Sequence, residues 1–193
     1  MASSYDTDPE LLAGIQRATT KVLGEFHRVC EELGIAYTVY GGTAIGAVRH
    51  RGFIPWDDDA DICMPRPDYE RFLAEAPALL GEEFRLDNTR TEPDFPFMFT
   101  KMVVPGTLLV PEADKDAAYR MPFFLDILPL DAVPDDGAAF KAVSRRSWWW
   151  GRLLFVRGTP RPHLVGVSGA PDPFPERTPC TPTTRLPWRR SRR

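Results

Sequence analysis

The sequence predicts an α/β domain of the α+β type, with a mixed sheet flanked by helices and an irregular C-terminal tail. Residues 9–33 repeat apolar side chains at helical spacing. Short apolar runs at residues 35–40, 59–64 and 123–131 are typical of strands. From Gly158 onward the chain holds eight prolines and almost no acidic residues, a composition that does not build a packed core.

Length and charge predict one globular domain followed by a different kind of segment. The 193 residues are 43% hydrophobic and 26% charged, as in soluble globular proteins. Residues 1–143 hold 13 Lys and Arg against 25 Asp and Glu, whereas residues 144–193 hold 11 against 2. We therefore expect a domain at 1–143, and at 144–193 the remnant of a helix with a disordered Pro/Arg-rich tail. A basic tail can bind nucleic acid or an anionic membrane, but the acidic body argues against both kinds of partner.

The sequence shows no targeting or disulfide pattern. The first ten residues are polar and lack the apolar stretch of a signal peptide. No uncharged apolar run approaches the roughly 20 residues that span a bilayer. The three cysteines are widely spaced, which favours neither a disulfide framework nor a zinc site. We expect a cytoplasmic protein with no transmembrane segment.

The first helix is delimited by residues that suit its ends. Asp8 is a good N-cap, and Pro9 fits the first helical position because its missing N–H needs no partner there. Gly34 supplies the C-terminal stop. We expect this helix to pack on the core without taking part in chemistry.

A glycine pair follows the predicted strand at 35–40. Gly41 and Gly42 are expected to form a turn, and residues 43–51 a short helix. Glycines let a backbone approach a phosphate closely, and a helix N-terminus attracts anions. Arg49 and the basic residues beside it can neutralise a phosphate. Alone, this pattern is a weak indication, because Gly-Gly is common in plain turns.

Four carboxylates crowd into five positions after this helix. Because Asp57, Asp58, Asp59 and Asp61 repel one another, a divalent cation is the expected reason for the cluster. Asp59 and Asp61 lie two apart in the predicted strand 59–64, so they share a face, roughly 6–7 Å apart. Asp57 and Asp58 would orient substrate, support the ligands or be solvated. The alternative is a wet acidic surface, against which the apolar neighbours of the cluster argue.

The remaining elements are predicted by the same patterns. A second helix is expected at 67–80, strands at 84–88 and 97–104, and a helix at 137–155. Lys101 interrupts the apolar run of 97–104. It is interpreted either as an edge lysine whose ammonium reaches water or as a contact for a substrate phosphate.

Asp126 lies in the middle of the strongly apolar run 123–131. An unpaired carboxylate there would be costly, so a metal or a basic partner must satisfy it. We take Asp126 as a candidate third metal ligand, with a buried Asp–Arg pair as the structural alternative. Asp131 is expected to be a helix cap or a turn residue.

Two motifs together resemble a known family. The segment GGTAIGAVRHRGFIPWDDDADI at 41–62, followed by FLDILPLD at 124–131, closely resembles the LicD family of phosphotransferases, related to fukutin. The resemblance runs from about Val22 to Pro134. It implies a nucleotidyltransferase-like fold and the transfer of a phosphorylated alcohol from a CDP donor, CDP-choline or a CDP-polyol, to a cell-surface glycan acceptor. Such a role in lipopolysaccharide or cell-wall glycan synthesis would place the protein at the inner face of the membrane.

The resemblance also implies a site and a cofactor. It puts the glycine-turn motif at Gly41, Gly42 and Thr43, donor-phosphate contacts at Arg49 and Lys101, and the metal-binding acids at Asp57, Asp59, Asp61 and Asp126. Mg²⁺ or Mn²⁺ held by Asp59, Asp61 and Asp126 would clamp the donor diphosphate. One of these carboxylates would take the proton of the attacking hydroxyl.

The sequence departs from the family beyond Pro134. Family members continue with further helices and motifs, whereas this chain continues into the Pro/Arg-rich tail. This indicates a truncated or frame-shifted member, which could also be inactive. There are two rival enzyme classes. A glycosyltransferase also uses an Asp-x-Asp pair to hold a metal and a nucleotide-sugar, but it does not explain the Gly-Gly turn before the pair. A nucleotidyltransferase that attaches AMP to a small molecule is closer in fold.

Overall fold

The computed structural model describes residues 9–109 and 117–158, which form four helices and one sheet. The strands are β1 (Thr38–Val39), β2 (Asp61–Pro65), β3 (Arg85–Asp87), β4 (Thr100–Val104) and β5 (Phe123–Leu130). The helices are α1 (Pro9–Leu33), α2 (Gly41–His50), α3 (Arg66–Glu75), which a 3-10 turn (Ala76–Ala78) extends, and α4 (Gly137–Gly158). This arrangement confirms the predicted mixed α/β fold.

The most apolar strand lies at the centre of the sheet. The strand order is β1-β2-β5-β4-β3. β5 pairs with β2 in parallel and with β4 in antiparallel orientation, and the two outer pairs are antiparallel. A strand with neighbours on both sides is shielded from water along its length, which explains the apolar composition of β5.

The hydrophobic core lies between one face of the sheet and the helices α1 and α3. Phe26 of α1 and Phe72 of α3 are fully buried, with ring centroids 5.1 Å apart. Leu125 and Ile127 of β5 belong to the same core cluster. Because side chains alternate along a strand, Asp126 between them points to the opposite face.

Several elements begin or end at positions other than predicted. The predicted bounds 9–33 of α1 are confirmed. The predicted strand 35–40 is reduced to Thr38–Val39. α2 includes Gly41 rather than starting after the glycine turn, with a φ of 53° at this first residue. Asp59 precedes β2, which begins at Asp61, so these two carboxylates do not share one regular strand.

The later elements follow the same pattern. The predicted helix 67–80 is divided into α3 and the 3-10 turn, and the strands expected at 84–88 and 97–104 are shorter. α4 extends through the predicted domain boundary at 143/144. The division itself stays a prediction, because most of 144–193 lies outside the described residues.

Asp131 is not a helix cap, which corrects the sequence-based expectation. Its carboxylate accepts hydrogen bonds from Arg66, with distances of 2.7 Å from Nε and 2.6 Å from Nη2. The α4 N-terminus is instead capped by Asp136, whose Oδ2 accepts from the Ala139 N–H at 2.6 Å. The ion pair of Asp131 with Arg66 therefore links the end of β5 to the first residue of α3.

Within residues 9–109 and 117–158, none of the helices combines the length and the apolar character needed to cross a bilayer.

Candidate active site

A row of charged side chains crosses the sheet on the face opposite the core. Asp126 on β5 is in register with Asp61 on β2 and with Lys101 on β4. Lys101 is in turn in register with Asp87 on β3. Because residues directly opposite one another in a sheet point to the same face, these four side chains form one charged row.

Lys101 is the cation at the centre of this row. Its side chain is only 3% exposed, and its Nζ lies 2.5 Å from Oδ1 of Asp126. The ammonium also lies 3.4 Å from the ring centroid of Phe124, 4.7 Å from that of Phe97 and 5.4 Å from that of Phe99. Ring faces attract a cation, so the aromatic side chains help to hold it away from water. β4 is an interior strand, so the expectation of an edge lysine is wrong.

Burial dominates the titration of both partners of this ion pair. It raises the pKa of Asp126 from 3.8 to about 6, against the opposing effect of the Lys101 ammonium, and Asp61 raises it further. Burial likewise lowers the pKa of Lys101, while Asp126 opposes that shift. A basic partner therefore satisfies Asp126, as expected, but it is a lysine rather than an arginine.

The acidic loop before β2 packs against the N-terminus of α2. A Cβ placed on Gly42 would lie 2.5 Å from Oδ2 of Asp57, and one on Gly41 would lie 3.0 Å from Oδ2 of Asp61. Only glycine leaves room for these contacts, and the positive φ of Gly41 also favours it. The partial positive charge of a helix N-terminus stabilises carboxylates placed there.

Two side chains fix this loop in position. The hydroxyl of Thr43 accepts a hydrogen bond from the backbone N–H of Asp61 at 2.8 Å. The side-chain amide of Gln16 on α1 donates to the backbone carbonyl oxygen of Asp57 at 2.9 Å. α1 and α2 thus hold the two ends of the acidic segment, and α1 contributes to the site despite the expectation that it only packs.

The carboxylates of the loop have the properties of a cation site. One oxygen each from Asp57, Asp58 and Asp59 lie within 4.8 Å of one another, the one such group found among the described residues. Among the residues that the structure describes, Oδ2 of Asp57 is the single buried side-chain oxygen or nitrogen without a hydrogen-bond partner. An unpartnered buried carboxylate oxygen is costly unless a proton or a cation satisfies it. Hard divalent cations such as Mg²⁺ prefer this kind of oxygen ligand.

Burial is the main cause of raised pKa values among the carboxylates near this loop, and neighbouring acidic charges add to it at Asp57 and Asp59. Burial, followed by the charges of its acidic neighbours, raises the pKa of Asp59 to about 6. Burial also raises the pKa of Asp57 and of Asp61. A cation bound among them would remove this repulsion, so the donor set fits a divalent metal.

The structure brings several of the predicted site residues near one another, although their roles stay predictions. The three carboxylates found within 4.8 Å of one another in the described residues are Asp57, Asp58 and Asp59, not the predicted ligand set Asp59, Asp61 and Asp126. Gly41, Gly42 and Thr43 meet the acidic segment at the α2 N-terminus, and Asp61 is next to Asp126 in the sheet register. The negative charge of Asp126 makes a small contribution to the raised pKa of Asp59. Lys101 lies in the same row, where it pairs with Asp126.

Arg49 is the exception. It is exposed near the C-terminal end of α2, which at 1.5 Å per residue lies about 12 Å along the helix axis from Gly41. The structure therefore does not bring Arg49 to the carboxylates. Its contact with a donor phosphate stays a prediction that requires the donor to extend along α2.

Asp87 and Gln16 were missed by the sequence analysis. Asp87 is fully buried at the end of the charged row. It accepts hydrogen bonds from Arg85 at 2.7 Å and from the Tyr119 hydroxyl at 2.8 Å. The alternation of Arg85, Leu86 and Asp87 along a strand could have indicated a charged face, but only the strand register shows that this face continues the row.

Residues 34–105 match a family described as LicD/FKTN/FKRP, nucleotidyltransferase domain. This match agrees with the resemblance of the two motifs to the LicD family.

Two relatives show the extent of the similarity. The chain is 35% identical over 121 residues to the lipopolysaccharide cholinephosphotransferase LicD of Haemophilus influenzae, a span that covers 63% of this chain and 44% of that protein. An uncharacterized protein of Rickettsia typhi is 31% identical over 70 residues, covering 36% of this chain and 23% of that protein. The chain thus matches less than half the length of these relatives.

Proposed function

We propose that this chain is a phosphotransferase domain of the LicD type. It would move a phosphorylated alcohol, phosphocholine or a polyol phosphate, from a CDP-linked donor to a hydroxyl of a cell-surface glycan. The family match of residues 34–105 supports the reaction class, and the name of the Haemophilus influenzae relative supports a lipopolysaccharide acceptor. The cytidine base and the alcohol come from the family resemblance.

The observation that carries the proposal is the meeting of the charged row with the acidic loop at the α2 N-terminus. Asp59, Asp61 and Asp126 would hold a Mg²⁺ or Mn²⁺ ion, with Asp57 beside them. When bound, the ion would supply positive charge to the donor diphosphate and to the leaving nucleotide. The unpartnered Oδ2 of Asp57 and the raised pKa values of the neighbouring carboxylates support this assignment.

The protein groups divide the remaining tasks by position. The free backbone N–H groups at the α2 N-terminus, in Gly41 and Gly42, bind and orient a phosphate of the donor. Lys101 keeps Asp126 ionised and fixed in the row through their 2.5 Å contact. One of the three carboxylates would accept the proton of the attacking hydroxyl, and we assign this role to Asp59 because it lies on the loop rather than in the ion pair with Lys101.

A product assay tests the reaction class. The purified chain is incubated with CDP-choline, Mg²⁺ and lipopolysaccharide, and the released nucleotide is identified. We expect CMP in the presence of Mg²⁺ and none with EDTA, with at least a hundredfold loss in Asp59→Asn. Asp135→Asn, an exposed carboxylate outside the row, is the matched control and should keep the activity of the unmodified chain.

The rival reactions give different products. Pyrophosphate released from a nucleoside triphosphate would establish nucleotidyl transfer, and a nucleoside diphosphate released from a nucleotide-sugar would establish glycosyl transfer. Donor binding that requires Asp59 without any turnover would support an inactive family member. Absence of donor binding in calorimetry would contradict the proposal.

A further inference from the structure

The outward side of α4 exposes large apolar side chains. Arg146, Trp149, Trp150 and Leu153 stand at positions i, i+3, i+4 and i+7, so they lie on one side of the helix, which we call the outward face of α4. Trp149 and Trp150 are each 61% exposed, and Leu153 is 54% exposed. Single exposed apolar residues are ordinary, but a contiguous group of this kind marks an interaction surface.

The opposite side of α4 is the one that rests on the domain. Phe140, Ser144, Gly151 and Leu154 are all half-buried there. At Gly151 the approach is close enough that an added Cβ would lie 2.9 Å from the sulfur of Met98. In the described part of the chain, the outward face therefore stays open to solvent.

The charge of α4 is of one sign. The helix contains no Asp or Glu from Gly137 to Gly158. The cationic residues whose side chains the structure describes are Lys141, Arg145, Arg146 and Arg152. A helix with tryptophan and leucine at the centre of one side and arginine around them matches the composition of helices that lie in the interface of an anionic bilayer.

We propose that the outward face of α4 docks the protein on the surface of an anionic phospholipid bilayer. The arginines would contact the phosphate groups, and Trp149, Trp150 and Leu153 would enter the headgroup layer. A lipid surface is favoured over a nucleic acid because Trp149, Trp150 and Leu153 offer apolar contacts to the acyl and headgroup region, which a polyanion does not use. The inference is independent of the proposed reaction, since docking needs neither donor nor acceptor.

Vesicle binding tests the inference with the full chain. Tryptophan fluorescence and co-sedimentation are measured with vesicles of phosphatidylcholine alone and with vesicles that also contain phosphatidylglycerol. We expect binding and a blue shift only with phosphatidylglycerol, and a decrease at high salt. Arg145→Gln with Arg146→Gln should weaken binding roughly 25-fold, at about fivefold per cationic side chain.

Matched variants separate docking from general charge effects. Arg17→Gln with Lys21→Gln removes the same charge from exposed positions of α1 and should leave vesicle binding unchanged. Trp149→Ser should reduce both binding and the blue shift. Equal loss in the α1 and α4 pairs, or equal binding to neutral vesicles, would overturn the inference. Tighter binding to an oligonucleotide than to vesicles, or self-association that Trp149→Ser abolishes without any vesicle binding, would also overturn it.

Discussion

Removal of Lys101 should destabilise the protein by about 3 kcal/mol. At the 2.5 Å separation of Nζ from Asp126 Oδ1, an effective dielectric constant of about 20 gives a Coulomb attraction of roughly 6–7 kcal/mol, which the desolvation of both groups opposes. Loss of one partner of a buried pair costs about 3–5 kcal/mol, because the other charge stays buried. In Lys101→Met, Asp126 can take up a proton, so we expect the lower end of this range.

A double-mutant cycle isolates the pair. Free energies of unfolding are measured in urea, with EDTA present, for Lys101→Met, Asp126→Asn and the double variant. The double variant should be more stable than the sum of the single losses predicts, by at least about 2 kcal/mol. Arg71→Met breaks an exposed pair with Glu75 and, as a control, should cost less than about 1 kcal/mol. Additive losses, or a loss in Lys101→Met no larger than in the control, would refute the coupling.

Two further predictions concern stability. The pKa of Asp126 is raised from 3.8 to about 6, so its protonation stabilises the fold below pH 6 and this stabilisation is lost as pH rises through 6. Without metal, the free energy of unfolding of the unmodified chain should rise between pH 7.5 and pH 5 by about 1.4 kcal/mol more than that of Asp126→Asn, as measured by urea titration. An equal rise in both proteins would count against the buried carboxylate. Gly42→Ala should destabilise the chain by roughly 1–3 kcal/mol in thermal unfolding, because its Cβ would lie 2.5 Å from Asp57 Oδ2. The control Gly24→Ala changes an open helical position and should stabilise the chain by about 0.5–1 kcal/mol. Stabilisation by both alanines would show that the carboxylate does not pack on Gly42.

Local signals predicted α1 well because they determine a helix directly. Pro9 and Gly34 mark its ends, and its buried residues recur at helical spacing. The apolar run of β5 was equally clear, since a strand between two neighbours is apolar on most positions. The lengths of the shorter strands were overestimated, because the length of a strand depends on where its partner strand ends as well as on its own composition.

The charged row could be predicted only in part because it depends on strand register. The sequence indicated that Asp126 needs a partner, but the pairing of β4 with β5 determines that this partner is Lys101. Asp87 enters the row through a second pairing, which no local pattern specifies. The role of Arg49 as a donor-phosphate contact stays a prediction, since Arg49 lies near the C-terminal end of α2 and the glycines lie at its start.

Metal binding by the intact chain tests the central claim, that carboxylates from the acidic loop and from β5 share one cation site. Mn²⁺ binding is measured by calorimetry and by electron paramagnetic resonance for the unmodified chain, Asp59→Asn, Asp126→Asn and the control Asp135→Asn. The site described above predicts one Mn²⁺ per chain, weakened at least about tenfold in each of the first two variants and unchanged in the control. Binding that survives in both Asp59→Asn and Asp126→Asn would contradict the shared site.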